Sequence, residues 1–268
     1  MKCLLEQGVF ENENDILKTL ADMKISHSLW DHKSYPPYDP KVEKDVFFLG
    51  SNLTAQNLKN AKYPYHISIG EEYNYSYWGA HIKEIFNWSG LMSSAGRLLN
   101  MYANRNPKYD QREHNMKMFF RSNSGNGLLK GGPRTTKEII PELNYLFPHE
   151  IVVMAEDEDV VDEYRCVVEA THKDDGPSEY QVLTSSSYII DGKRCTNYKL
   201  LDQSYQDKLV GMLKASTYRA PRLFMCDVHI DDDGELSVMD VKSANCSNFY
   251  GCDLVAFFDG VKQIVDET

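Results

Sequence analysis

The stretch CDVHIDDDGELSVMDVKSANCSNFYGCD, residues 226–253, decides the reading of this chain. Apolar and polar residues alternate on both sides of Asp233-Gly234, so Phe224 to Val241 is expected to form a hairpin of two antiparallel strands. If Asp227 and Asp240 occupy adjacent strands on one face, their carboxylates converge within reach of one hard cation. That arrangement suits Mg²⁺, which takes oxygen ligands at about 2.0–2.1 Å and shares them with substrate phosphates. The plain alternative is that both acids point to solvent beside a turn already rich in Asp231, Asp232 and Asp233. His229, two residues from Asp227, is open to two readings: a base, or a side chain hydrogen-bonded at the hairpin.

Outward from this hairpin the chain keeps a strand-rich texture back to about residue 116. Met116 to Arg121 alternates like a strand and leads into Arg121-Ser-Asn-Ser-Gly-Asn-Gly-Leu-Leu-Lys130-Gly-Gly132. Its glycines would let backbone N–H groups approach an anion, and Arg121 and Lys130 supply positive charge. The spacing is not that of a Walker loop, and such turns also occur as ordinary surface loops. A helix is expected from Thr135, with Pro141 bending or restarting it, then a buried strand from Ile151 to Met154. The run Glu156-Asp-Glu-Asp159, with Asp162 and Glu163, places six acids in eight residues and reads mostly as a solvated loop. Glu163-Tyr164-Arg165 opens an apolar strand to Val168, and an inward Arg165 there needs an anionic partner, either a carboxylate or a bound phosphate. A second hairpin, Ser185 to Tyr198, turns at Asp191-Gly192. Helices are expected near Gln203 to Lys214 and from Asp253, the latter with Leu254, Phe257, Val261, Ile264 and Val265 on one face.

The first third is different. Lys2 to Leu5 reads as a strand, Asn14 as the cap of a helix with Ile16, Leu17, Leu20 and Met23 on its apolar face, and Asp45-Val-Phe-Phe-Leu-Gly50 as a buried strand before a helix starting at Ser51-Asn52. A loop around Pro36, Pro37 and Pro40 separates them. Strand, helix, strand predicts a parallel sheet covered by helices. The aromatic stretch Tyr73 to Trp88 is expected to pack over that sheet; Tyr73, Tyr75, Tyr77 and Trp78 could instead line a substrate pocket. Residues 100–116, polar and containing Pro107, form the expected boundary.

Composition limits the function classes. With 29 Lys+Arg against 40 Asp+Glu the 268-residue chain carries a formal charge of −11, which disfavours a whole-surface nucleic-acid binder. The basic segment Arg97, Arg105, Lys108, Arg112 and Lys117 reads as solvated. Cys3, Cys166, Cys195, Cys226, Cys246 and Cys252 form no CxxC pair and no zinc spacing, as expected of thiols in a reducing cytoplasm. The start MKCLLEQGVF lacks the roughly 7–15 residue apolar core of a signal peptide, so the sequons at Asn52, Asn74, Asn87 and Asn245 carry no weight. No apolar run nears the ~20 residues that cross a bilayer, and a soluble, cytoplasmic protein is expected. No GxSxG, HExxH or GxGxxG occurs.

Taken in order, these segments resemble the ATP-grasp superfamily, in particular its phage and bacterial branch named after one arginine and two lysines. VFFLGSNLTAQN and SYWGAHIKEIFN are similar to that branch's N-terminal domain. MFFRSNSGNGLLKGG is similar to its Phe-x-Arg-Pro-Asp-Ser loop, EYRCVV to its Glu-Tyr-Arg strand, SSSYIIDGKR to its Ser-x-Tyr hairpin, and residues 226–253 to its closing Glu-x-Asn and Gly-Phe-Tyr element. The resemblance implies an α/β protein: an N-terminal parallel-sheet domain, residues 1–110, then an ATP-grasp module of two α+β subdomains, residues 111–268. It also implies ATP between the subdomains, with adenine at the backbone of Val153, Met154, Ala155 and Glu156. Glu163, Ser186 and Tyr188 would complete the nucleotide site, Arg121, Lys130 and Arg165 would face the phosphates, and Asp227, Asp240 and Asn245 would hold Mg²⁺. The family's reaction would be ATP- and Mg²⁺-dependent joining of a carboxylate to an amine through an acyl phosphate. If phage-encoded, the protein would work in the host cytoplasm.

Three positions depart from the family pattern. Gly127 stands where its loop has lysine, Lys242 where Glu-x-Asn has asparagine, and Asn248 where glycine precedes Phe249-Tyr250. A lysine beside the metal could repel a second Mg²⁺ or could itself neutralise phosphate. Two rivals to a ligase stay open: a degenerate ATP-grasp protein that binds a nucleotide or a host protein without chemistry, and an acidic nucleic-acid mimic.

Overall fold

The computed structural model describes residues 1–31, 33–86, 90–103, 117–125, 129–157, 161–173 and 178–267. The expected parallel sheet forms from β1 (Lys2–Glu6), β2 (Ser26–Trp30) and β3 (Val46–Leu49), in the order β2-β1-β3, with α1 (Glu13–Asp22) as the first crossover. All four residues of β3 are buried, as a strand covered on both faces requires. Asn12, not Asn14, stands at the cap of α1 and makes no side-chain cap bond. Glu13 in the first turn instead accepts the Gly8 N–H at 2.6 Å. The start of α2 (Asn52–Asn60) is as expected: Ser51 Oγ accepts the Thr54 N–H at 3.3 Å, and the buried Glu6 carboxylate accepts the Ser51 N–H at 2.6 Å.

The aromatic stretch packs elsewhere than expected. Tyr73, Tyr75 and Trp78, carried by a short 3₁₀ turn (Glu71–Tyr73) and α3 (Tyr75–His81), join Ile82, Tyr164, Cys166, Phe224 and Val228 in a core that excludes the parallel sheet. Backbone groups dictate this placement. The Tyr75 N–H donates to Asn123 O at 2.8 Å, and residues 84–86 pair with Val238 through Val238 N–H to Glu84 O and Phe86 N–H to Val238 O, both 2.9 Å.

Two antiparallel sheets follow. β4 (Leu91–Ser94), β5 (Lys117–Ser122), β6 (Gly132–Thr135) and β7 (Ile151–Glu156) form the first, in the order β4-β7-β5-β6, backed by α4 (Ala95–Ala103) and α5 (Thr136–Leu143). Leu98, Tyr102, Phe120, Ile139, Leu143 and Val152 are its core. α5 begins in a capping box: Thr135 Oγ1 accepts the Glu138 N–H and Glu138 Oε2 accepts the Thr135 N–H. β4 precedes residue 110, yet it pairs with β7; residue 110 itself lies outside the described residues.

The second sheet holds β8 (Asp162–Thr171), β9 (Glu179–Ile190), β10 (Lys193–Arg194), β11 (Leu223–Ile230) and β12 (Leu236–Ser243), in the order β10-β9-β8-β11-β12. Asp191 and Gly192 both have positive φ, 49° and 67°, which is the primed turn that closes a two-residue hairpin. α6 (Gln203–Ala215) covers the face carrying Cys166 and Cys226. α7 (Leu254–Asp266) covers the other, where Phe257 and Val261 join Val167 and Met225 to Cys3, Leu5, Phe47 and Leu49 of the parallel sheet. Among the described residues no helix is long and apolar enough to cross a membrane.

Candidate functional site

Strand register lines up four polar side chains across the second sheet: Ser186 opposite Arg165, Arg165 opposite Asp227, and Asp227 opposite Asp240. Two residues along their strands, and so on the same face by pleat alternation, come Glu163 and Lys242, while Tyr188, skipped by a register shift between β8 and β9, has its ring 5.9 Å from the Arg165 guanidinium. Arg121 enters from β5 in the neighbouring sheet. The two acids therefore do share a face, as the hairpin reading required.

Their partners are all supplied by the protein. Arg165, 3% exposed, grips Asp227 with both arms: Nε to Oδ1 and Nη2 to Oδ2, each 2.7 Å. Its remaining nitrogen, Nη1, donates to Asn248 O. The guanidinium lies 4.6 Å from the Tyr250 ring centroid, and Tyr250 stacks on Tyr188 at 4.8 Å. Lys242 Nζ sits 3.1 Å from Asp227 Oδ2 and 2.9 Å from Asp240 Oδ2. Arg121 closes the chain, with Nη2 2.5 Å from Asp240 Oδ1 and Nη1 donating to Met239 O at 2.8 Å. Its guanidinium lies 5.4 Å from the Tyr75 ring and 5.6 Å from Trp78.

These pairings set the protonation states. Burial alone would raise the Asp227 carboxyl, but the charges of Arg165 and Lys242 outweigh it and hold it well below the usual carboxylate range. Asp240 is likewise lowered: burial opposes, Arg121 and Lys242 prevail. Burial would lower the Lys242 ammonium, and the two aspartates raise it instead. Glu163 is the exception. Burial pushes its carboxyl up to about 7, with the Asp227 charge adding to the rise and Tyr188, Lys242 and Arg165 only partly opposing it.

The expected site residues divide into three groups. Arg121, Arg165, Asp227, Asp240 and Lys242 form one ion-pair network, with Glu163 and Ser186 on the same face and the Tyr188 ring beside Arg165. Val153 and Ala155 line a narrow cleft beside it, together with Arg121, Phe119, Tyr75, Phe86 and Met239. That cleft encloses about 20 Å³, room for roughly one water. Met154 and Glu156 do not line it; Met154 faces α4, where Tyr102 Oη donates to its Sδ at 3.3 Å, and Glu156 is exposed at the strand end. The third group lies apart. Lys130 is exposed, and Gly127 is outside the described residues.

Two expectations are corrected by this geometry. Asn245 is directed away from the two aspartates: its Nδ2 donates to Phe48 O at 2.6 Å and His66 O at 3.0 Å, and its Oδ1 accepts the Ser68 N–H at 2.8 Å. Its amide ties the end of β12 to the parallel sheet rather than offering a metal ligand. Arg165 does not face an open phosphate site, because every one of its nitrogens already serves Asp227 or Asn248. His229 follows the second of its two readings: it is buried, its Nδ1 lies 3.3 Å from Asp162 O, and its ring is edge-on to Phe86 at 4.8 Å. Sequence reasoning gave no site role to Tyr250, Asn248 or Met239. The signal for the first was present, since a Tyr-Gly turn after Phe249 marks a tight bend, and Tyr250 has φ of +49°.

The residues present do not fit a divalent cation in this arrangement. Each of the four carboxylate oxygens of Asp227 and Asp240 is already within 3.1 Å of a cationic nitrogen. Among the described residues no group of three His, Cys, Asp or Glu side chains is placed to hold a metal. Three cations, Arg121, Arg165 and Lys242, face two carboxylates, Asp227 and Asp240, so the network carries +1 with Glu163 protonated and 0 with it ionised. Such a cluster attracts an anion or a neutral ligand more readily than Mg²⁺.

No protein-family model matches the chain, and no curated protein matches it in sequence. Solved structures do. The D-cycloserine synthetase DcsG superimposes with a TM-score of 0.57 at 9% identity, over 99% of this chain and 100% of that one. The ATP-grasp ligase PsnB complexed with minimal precursor gives 0.53 at 12% identity, over 98% of each. D-alanine–D-alanine ligase from Bacillus anthracis complexed with ATP gives 0.53 at 12% identity, over 100% of this chain and 98% of that one. The chain, a parallel three-stranded sheet followed by two antiparallel sheets, thus shares its fold along nearly its whole length with this synthetase and these ligases, of which PsnB is an ATP-grasp ligase.

Proposed function

We propose that this protein is an ATP-dependent ligase that joins a carboxylate to an amine, with the nucleotide held between the two antiparallel sheets. The observation that carries the reading is the juxtaposition of a narrow, largely apolar cleft with a cationic network at its end. Val153 and Ala155 of β7 and Met239 of β12 line the cleft, and Arg121 belongs to both cleft and network. A flat apolar base suits the first and an anionic phosphate chain suits the second. One fold hosts many chemistries, so the site rather than the fold carries this reading. The likeness to the branch named for one arginine and two lysines rests on the order of the quoted motifs.

In the proposed reaction a substrate carboxylate oxygen attacks the terminal phosphorus of ATP, and ADP leaves with the electron pair of the broken P–O bond. The acyl phosphate so formed is attacked by an amine nitrogen; the C–O bond to phosphate breaks, inorganic phosphate departs, and the amine proton passes to a base. Lys242 and Arg121 would offset charge on the transferred phosphoryl group. Glu163, poised about neutrality beside them, is the group suited to take a proton. Because the cleft encloses only about 20 Å³, a base enters as the sheets part between Ala155 and Met239. D-cycloserine synthetase and D-alanine–D-alanine ligase among the neighbours point to small amino-acid-like substrates. The test is ADP and phosphate release from ATP over a panel of amino acids and small amines. Release that requires both an acid and an amine supports the ligase.

A second reading, nucleotide binding without chemistry, is favoured by one observation: Lys242 already bridges both aspartates. ATP binding with no ADP release over the whole panel would select it.

A further inference from the structure

We propose that Lys242 replaces the divalent cation in this site, so that the protein binds a nucleoside triphosphate without Mg²⁺. The proposal rests on the nucleotide reading and concerns how its phosphates are neutralised. The Lys242 ammonium lies between the Oδ2 atoms of Asp227 and Asp240, 3.1 and 2.9 Å away, on adjacent strands in direct register. That is the position in which a metal shared by these two acids would stand. Unlike a metal it is covalently tethered, so it needs no recruitment from solution.

Two further features fit the substitution. The Lys242 side chain is 36% exposed while Asp227 and Asp240 are 3% and 16% exposed, so the ammonium forms the open side of the cluster. An ammonium has three N–H donors; two go to the aspartates, which leaves one for a ligand oxygen. The other two cations make the exchange one-way. Arg165 and Arg121 already neutralise Asp227 and Asp240, so Mg²⁺ in the place of the Lys242 ammonium would raise the charge beside two guanidiniums by one unit and separate the ammonium from both its partners. A polyanionic phosphate chain meets the opposite balance: it adds negative charge to a cluster with one excess cation.

The experiment is calorimetric titration of the whole protein with ATP, once in EDTA and once in excess Mg²⁺, with Mg²⁺ alone as a third arm. ATP affinity in EDTA is expected within about threefold of that in Mg²⁺, and Mg²⁺ alone is expected to give no binding. Lys242→Asn removes the tethered charge but leaves both aspartates paired with arginines, so it should fold. In that variant ATP affinity in EDTA should fall by about tenfold or more and return on adding Mg²⁺. Wild-type ATP binding that appears only with Mg²⁺, or saturable binding of Mg²⁺ alone, would overturn the substitution and leave the nucleotide site standing. No ATP binding in either buffer would overturn both the substitution and the nucleotide reading.

Discussion

Arg165 and Asp227 face each other across β8 and β11 with two 2.7 Å bonds and almost no exposure. Removing Arg165 breaks this buried pair and leaves the Asp227 carboxylate with Lys242 alone among the described cations, a loss that typically costs about 3–5 kcal/mol. Arg165→Ala should therefore lower stability by about that much in urea unfolding, while replacing Arg165 and Asp227 together by Met and Leu should recover most of it. Glu163 makes the opposite kind of contribution. Its folded value of about 7 lies above the ordinary 4.5, so between these values the folded protein holds a proton that the unfolded chain has lost. Its contribution, on the order of 3 kcal/mol, is present below pH 4.5 and is lost as pH rises toward 7. Asp227, held low, stabilises above its ordinary value and loses that contribution as pH falls. Glu163→Gln should flatten the stability profile between pH 4.5 and 7 and leave the acid limb, where Asp227 titrates, unchanged. A profile as steep in the variant as in the wild type would show that another group sets this slope.

At the scale of elements, local chemistry made much of the chain legible. Thr135 and Glu138 spell a capping box before an apolar run, and α5 starts there. Thr135→Ala should cost about 1 kcal/mol in the same urea assay. The Asp191-Gly192 and Asp233-Gly234 turns, and the Asp253 cap whose carboxylate accepts from Val255 and Ala256, were readable for the same reason: their partners lie within a few residues. The aromatic stretch was not. Tyr75 and Trp78 are apolar enough for any core, and what selects the core is the pairing of residues 84–86 with β12 and of Tyr75 with Asn123, which no local pattern encodes.

The whole molecule is assembled by contacts between distant segments, and these explain what the sequence concealed about the site. Asp227 and Asp240 could be placed on one face from alternation alone. That their oxygens are taken by Arg165, Arg121 and Lys242 depends on three strands and a second sheet meeting in one register. Asn245 illustrates the limit best. Expected as a metal ligand through the family resemblance, it instead bonds Phe48, His66 and Ser68, nearly two hundred residues earlier. Asn245→Ala should strand the Phe48 carbonyl and the Ser68 N–H at the seam, leave His66 O with the Phe48 N–H alone, and cost about 2 kcal/mol, measured by thermal unfolding. The central claim is that the cleft between the antiparallel sheets takes ATP. Its most direct test is a thermal-shift titration with ATP of the wild type and of Ala155→Val, whose two added methyl groups occupy the one-water space of the cleft. ATP at about one hundred times its dissociation constant should raise the wild-type Tm by roughly 5–10 °C and leave that of Ala155→Val unmoved. An unmoved wild type, or an equal shift in both proteins, would contradict the claim.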